Sequence, residues 1–297
     1  MYRTDLAIER IEMIDESAGN TAFSAENQGG SRSVKGVSID KTDYGSGVIS
    51  TLISITDEDG ERALNKPMGK YITIETKSII EEDKEVKDNV IRAVASELGK
   101  LINFHHRLKV MVAGLGNIDV TPDALGPKTA SKIRVTRHLF VMFEADGDDE
   151  MANVSCIIPG VSATTGMETA EIIKKAVEIV KPEVLIVIDS LAARNIERVS
   201  TTIQITDTGI SPGAGMGNNR TGINEETIGC RVIAIGVPTV IDVMTIIKDV
   251  LRDNEEYIYK NSEQMIVTST DIDMIIKEFS DIIAAGVNIT IHPGIYS

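Results

Sequence analysis

Asp123 and Asp189 are the side chains of this chain best placed to do chemistry. Asp123 lies in Gly114-Leu115-Gly116-Asn117-Ile118-Asp119-Val120-Thr121-Pro122-Asp123-Ala124-Leu125-Gly126-Pro127, where an apolar run breaks into a glycine loop. Asp189 directly follows the continuous apolar run 184–188. Two carboxylates delivered from strand ends can divide acid and base work on a water molecule. An aspartate after a parallel strand also makes a good helix N-cap, so position alone leaves Asp189 open between cap and catalyst. Asn117 and the backbone N–H groups near Gly116, Gly213, Gly215 and Gly217 are candidate donors to a substrate or an oxyanion.

Other chemistries lack their residues. Gly114-Leu115-Gly116 follows a strand pattern, but the third glycine of a dinucleotide fingerprint falls on Asp119, and in Gly213-Ala214-Gly215-Met216-Gly217 the corresponding place is Asn218. There is no phosphate-binding glycine-Lys-Ser/Thr loop, and Ser190 has no glycines around it to form a nucleophile elbow. His105, His106, His138 and His292 match no zinc spacing, so neither a metal nor a cofactor is expected. His138 reads as a hydrogen-bonded structural residue at a strand entrance. Cys156 and Cys230 lie in apolar runs and read as small buried hydrophobes. The acidic cluster Glu144, Asp146, Asp148, Asp149 and Glu150 does not fit an EF-hand and reads as a solvated loop. The glycine-rich stretch 206–220 is long for a simple connection, which suggests a substrate-binding wall beside the strand-end carboxylates.

The elements that must carry these residues are legible as alternating patterns. Residues 1–45 are polar, rich in Gly, Ser and Asn, and expected to be largely irregular. Strands are predicted over 48–55 and 71–75 as an antiparallel edge, with a turn at 57–60 between them. Val90, Ile91, Val94, Leu98, Leu101 and Ile102 fall at helical spacing. Strands follow at 110–113, 139–143, 154–158, 184–188, 202–205 and 232–235. Helices are predicted after Pro122, through Ile172–Val180, over 191–198 and after Pro238. A last helix covers 271–285, with Gly286 as its stop. The expected architecture is one α/β domain over 1–297, a mostly parallel sheet flanked by helices with an added N-terminal antiparallel element.

Composition narrows the partners. With 45 acidic and 30 basic residues the net charge is −15, which disfavours direct binding to nucleic acid. Five Phe, six Tyr and no Trp leave little for a base-stacking platform. No apolar run is long enough to span a bilayer and no signal-peptide pattern opens the chain, so a soluble, cytoplasmic protein without membrane contact is expected.

Several blocks together resemble the germination protease, or spore protease, family of spore-forming Gram-positive bacteria. They are Gly114-Leu115-Gly116-Asn117 with Thr121-Pro122-Asp123-Ala124-Leu125-Gly126-Pro127, Val135-Thr136-Arg137-His138-Leu139, Pro159-Gly160-Val161 with Thr165-Gly166-Met167-Glu168-Thr169, Ile188-Asp189-Ser190-Leu191-Ala192-Ala193-Arg194, the 202–220 loop, and Ala234-Ile235-Gly236-Val237-Pro238-Thr239-Val240. Arg3-Thr4-Asp5-Leu6-Ala7 and Ile266-Val267-Thr268 resemble the family's two ends, so the likeness covers nearly the whole chain. It implies a fold similar to the hydrogenase-maturation proteases, a homotetramer, and an endopeptidase of the spore core that degrades small acid-soluble, DNA-coating spore proteins at germination. The family's proposed aspartate pair falls on Asp123 and Asp189. Its self-removed prosegment implies autoprocessing between Asp5 and Leu6, where Thr4-Asp5-Leu6-Ala7 resembles the T/S-E-F/I-A sequence cut in substrates. Only Met1–Asp5 precede that bond, fewer residues than in the family's prosegments, and the stretch 245–265 is shorter than in bacillar relatives. Two rival readings are a metal-dependent maturation peptidase of the same fold and a non-catalytic binding protein of the spore interior.

Overall fold

The computed structural model describes residues 4–17, 34–76, 79, 83–213, 220–251 and 265–296. The chain opens with helix α1 (Ala7–Ser17), then strands β1 (Val37–Gly45) and β2 (Val48–Ile55), helix α2 (Glu58–Leu64), strand β3 (Gly69–Glu75) and helix α3 (Lys84–Gly99). Strand β4 (Lys109–Gly114) leads through a 3-10 turn (Thr121–Asp123) into α4 (Leu125–Ala130) and α5 (Arg137–Met142). Strand β5 (Asn153–Ile157), short α6 (Ser162–Thr165), α7 (Thr169–Val180) and β6 (Val184–Ala193) follow. Then come β7 (Thr202–Thr206), α8 (Glu225–Ile228), β8 (Arg231–Asp242), α9 (Val243–Leu251), β9 (Ile266–Val267), α10 (Ile272–Ile291) and α11 (Pro293–Tyr296).

The strands join one mixed sheet in the order β1-β2-β3-β7-β8-β6-β4-β5, with β9 beside β8. Its parallel half is β8-β6-β4-β5; the other half is antiparallel and extends the expected N-terminal edge across β1, β2, β3 and β7. Alternation sends successive side chains of each central strand into two different cores. Val110, Val112, Val184, Ile186 and Ile188 pack with α3, α4 and α10 on one face. Met111, Ala113, Leu185 and Val187 pack with α7 and α8 on the other. Near the N-terminal edge that second face is covered by α1, whose Ala7 and Ile11 meet Ile53, Ile55, Leu64 and Tyr71.

Several sequence expectations are corrected by pairing across the chain. Within 1–45, the described residues 4–17 and 34–45 are mostly regular, since α1 and β1 occupy most of them. The predicted turn at 57–60 is the start of α2, capped by Asp57, whose Oδ1 accepts from Gly60 N at 2.9 Å. The run 139–143 is helical, not a strand. Thr136, just before the helix, ties it to β5, donating from Oγ1 to Ala152 O and accepting there from Val154 N, and Val141, Met142 and Phe143 stay exposed. Accordingly His138 sits exposed on α5, whereas His292 is the buried histidine, with Nε2 2.9 Å from Arg134 O. Residues 191–193 continue β6 instead of starting a helix, because β8 stays paired alongside as far as Ala193↔Ile241. Pro238 lies inside β8, not ahead of a helix, and the register shifts beside it between Leu191 and Ala192, a bulge of the kind that tolerates proline. Gly286 does not end α10. It lets α3 approach, since a Cβ there would lie 2.5 Å from Val94 Cγ1. The 252–264 part of the shortened 245–265 stretch lies outside the described residues.

Candidate active site

The parallel strands β4 and β6 run side by side as far as Gly114 opposite Ile188, their last pair, and β6 continues beyond it along β8. Strand order runs outward from them in both directions, to β5 on one side and β8 on the other, and crevices at such a switch point are where open α/β sheets hold ligands. Asp189 is the first β6 residue past that last pair. By alternation it shares the face of Val187 and Leu191, between the core under α7 and the small cluster of Leu6, Leu191 and Ala193. A carboxyl therefore stands where the strand pattern would bury a hydrocarbon, and it is only 5% exposed.

Asp123 reaches the same place from the turn after β4. Close approaches at three glycines shape that turn. A Cβ on Gly114 would lie 2.3 Å from Gly126 O, one on Gly126 would lie 2.2 Å from Leu115 O and 2.4 Å from Ile188 O, and one on Gly116 would lie 2.0 Å from Asp123 O. Gly116 also has φ +107°, a conformation open to glycine. The chain thus folds back tightly enough for Asn117 N to donate to Asp123 Oδ2 at 2.7 Å. Thr239 of β8 fixes the turn from the far side, donating from Oγ1 to Pro122 O at 2.8 Å.

Asp123 and Asp189 line one cavity of about 280 Å³, with Leu115, Gly116, Ser190, Gly213 and Arg220 among its walls. Burial pushes the Asp189 carboxyl well above the usual carboxylate range, and the charge of Asp123 pushes the same way. The N–H of Ser190, which donates to Asp189 Oδ1 at 2.9 Å, opposes that rise, as does Arg220, while the charge of Asp5 adds to it. Burial also raises Asp123, against the lowering influence of the Asn117 N–H and of Arg220. Two carboxyls that resist ionising together suit the sharing of one proton.

The other predicted site residues divide. Gly116 and Gly213 line the cavity. Asn117 contributes its backbone N–H to Asp123, and its Oδ1 accepts from Asp119 N at 3.0 Å. Gly215 and Gly217 lie outside the described residues. The base of their loop is tied by a two-way bridge, Ile210 N to Ile223 O at 3.0 Å and Ile223 N to Ile210 O at 2.7 Å, which brings Arg220 to the cavity. Arg220 was not singled out by sequence, because a cation in a glycine loop has no local pattern tying it to carboxylates far along the chain. Neither cysteine takes part: burial pushes the Cys156 thiol up to about 11 and raises that of Cys230.

Asp5 and Leu6 are docked at this site. Asp5 lines the cavity of the two aspartates, its N donates to Ala192 O at 3.2 Å, and its Oδ2 accepts from Ala192 N at 2.9 Å. Leu6 is fully buried against Leu191 and Ala193. Glu9 holds the start of α1 in place, accepting from Arg194 N at 2.9 Å, from Asn195 N at 2.8 Å and from the Thr4 hydroxyl. Among the described residues, no three His, Cys, Asp or Glu side chains converge as a metal site would require, and no helix is long and apolar enough to cross a membrane.

The chain is similar to known proteins along its whole length. A germination protease family model matches residues 7–261. The germination protease of Caldanaerobacter subterraneus subsp. tengcongensis is 40% identical over 99% of this chain and 95% of its own. That of Clostridium perfringens (strain SM101) is 40% identical over 98% of this chain and 95% of its own. Among solved structures, a [NiFe] hydrogenase maturation protease HycI from Thermococcus kodakarensis KOD1 aligns with a TM-score of 0.36 and 15% identity, over 64% of this chain and 98% of that one. From the family match and these near full-length relatives, the chain belongs to the germination protease family and is an endopeptidase of that family.

Proposed function

We propose that Asp123 and Asp189 are the catalytic pair, and that the chain hydrolyses small acid-soluble spore proteins in the spore core as well as its own Asp5–Leu6 bond. The observation that carries this reading is the shared cavity: two carboxyls, each raised by burial, Asp189 further raised by Asp123. Asp189 is the more deeply buried and holds the proton; Asp123, which accepts an N–H from Asn117, is the partner that ionises. Asp123 takes a proton from water as the oxygen bonds to the scissile carbonyl carbon, and protonated Asp189 donates a hydrogen bond to the carbonyl oxygen. The tetrahedral intermediate collapses as Asp123 returns its proton to the leaving nitrogen and the C–N bond breaks. The substrate class rests on family membership and on the likeness of Thr4-Asp5-Leu6-Ala7 to the T/S-E-F/I-A sequence.

The test is hydrolysis of a peptide carrying that sequence by the purified chain beside Asp123→Asn and Asp189→Asn. Each variant should keep its circular dichroism spectrum and lose about a thousandfold or more in kcat. Near-normal turnover by either would remove the pair. A homotetramer is part of the same reading. The exposed Val141, Met142 and Phe143 of and beside α5 offer an apolar patch for a second copy, and a single-chain mass in sedimentation velocity would reject assembly.

A further inference from the structure

Asp5 stands between two hollows. One holds Asp123 and Asp189. The other, about 810 Å³, is lined by Lys66, Tyr71 and Gln204 among others, and Asp5 and Leu191 line both. The backbone carbonyl oxygen of Asp5 accepts two hydrogen bonds from the second hollow, from Lys66 Nζ at 2.9 Å and from Gln204 Nε2 at 3.1 Å. Gln204 also accepts at Oε1 from Ala7 N at 2.8 Å. One side-chain amide therefore holds the C=O before Leu6 and the N–H after it, the pair of groups that a neighbouring strand would take. That grip reads backbone and is indifferent to side chains, whereas the Leu191 and Ala193 contact beside it takes an apolar residue.

Gln204 is 6% exposed in β7, paired with β3 and β8 on either side. Lys66 lies between α2 and β3, with its ammonium 6.0 Å from the Tyr71 ring centre. Burial pulls the Lys66 pKa down, and nearby Asp5 holds it up. Withdrawing an ammonium from water is costly, and a buried carbonyl needs only one ordinary donor to be satisfied. A cation and an amide on one peptide oxygen exceed that need. They match what a developing oxyanion requires: positioned donors, one of them charged.

We propose that Lys66 and Gln204 form the carbonyl-holding site of the cleft, occupied here by the chain's own Asp5–Leu6 peptide group and afterwards by the scissile peptide group of a substrate. This rests on the aspartate-pair reading above. As water adds to the carbonyl carbon, the C=O electron pair moves onto the oxygen held by the Lys66 ammonium and the Gln204 amide, and it returns when the C–N bond breaks. Lys66 keeps its proton throughout.

If these residues merely anchored α1, removing them would loosen Asp5 and Leu6 from the cleft and leave hydrolysis of an added peptide unchanged or faster. A carbonyl-holding role has the opposite sign. The experiment measures kcat and KM for a synthetic Thr-Glu-Ile-Ala peptide, and self-cleavage after Asp5 by intact mass, for full-length Lys66→Met, Lys66→Arg and Gln204→Glu chains beside both Asp→Asn variants. Lys66→Met and Gln204→Glu should each lower kcat about a hundredfold with KM changed by about threefold or less, and Lys66→Arg should recover about tenfold of the loss. Should Lys66→Met fail to fold, Gln204→Glu, which keeps the side chain's shape, carries the decision. Undiminished kcat in the folded clamp variants, beside dead Asp→Asn variants, would overturn the clamp and leave the aspartate pair standing. Active Asp→Asn variants beside crippled clamp variants would do the reverse, and a wild-type chain that leaves the peptide whole would overturn both.

Discussion

Burial does most of the work on Asp123 and Asp189, and Arg220 works against it. A carboxyl taken out of water holds its proton longer, while a nearby cation favours the ionised form. In the proposed mechanism one carboxyl must be ionised and the other protonated, so activity rises with pH as the pair loses its first proton and falls as it loses the second. Arg220 lowers both members. Removing it therefore raises both apparent pKa values, and Arg220→Met should shift both limbs of the kcat/KM profile to higher pH, with Arg220→Lys shifting them less. Profiles that superimpose on the wild type across the whole pH range would show that the cation does not act on the pair.

The carboxylates are held together by the way β4, β6 and α4 meet. Gly126 is a tight point between strands and helix, where the first turn of α4 presses against Leu115 O and Ile188 O. Backbone cannot give way there as a flexible side chain could, so Gly126→Ala should cost about 3 kcal/mol or more, seen as a lowered urea midpoint. It should also reduce turnover in whatever fraction stays folded, because displacing α4 displaces the Asp123 turn. A stability within about 0.5 kcal/mol of the wild type would mean that the strands and helix separate more easily than their packing implies. The same geometry explains which elements were legible beforehand. The strands at 110–113, 154–158, 184–188 and 232–235 show as short apolar runs and the helices of α3, α7 and α10 as apolar residues at helical spacing, and these elements lie nearly where expected. The run 139–143 is a short continuous apolar stretch, which does not separate helix from strand, and it folds as a helix.

A net charge of −15 sets how the whole molecule meets its surroundings. The proposed substrates coat DNA, and a polyanion is repelled by the duplex they cover. Cleavage should then proceed mainly on substrate that has left the DNA. Adding saturating duplex to a reaction on a purified spore protein should slow hydrolysis, and raising salt should restore the rate as the protein dissociates from the duplex. Equal rates with and without DNA would remove this idea.

The residues alone were enough for the α/β class, for two strand-end aspartates and for the likeness to one peptidase family, because each of these is written in local order: apolar alternation, glycines at a turn, an acid after a strand. They were not enough to keep Asp189 inside a strand and away from a helix start, to bring Arg220 to the same cavity, or to seat Asp5 and Leu6 beside it. Nor did they mark Lys66 and Gln204, which lie in unremarkable stretches. Those outcomes depend on contacts such as Asp5 with Ala192, 187 residues apart, and on β6 running past the end of β4 with β8 still at its side. Periodicity tells which face of an element is apolar. Which elements become neighbours, and therefore which polar groups share a space without water, follows only when the whole sheet has closed its pairings.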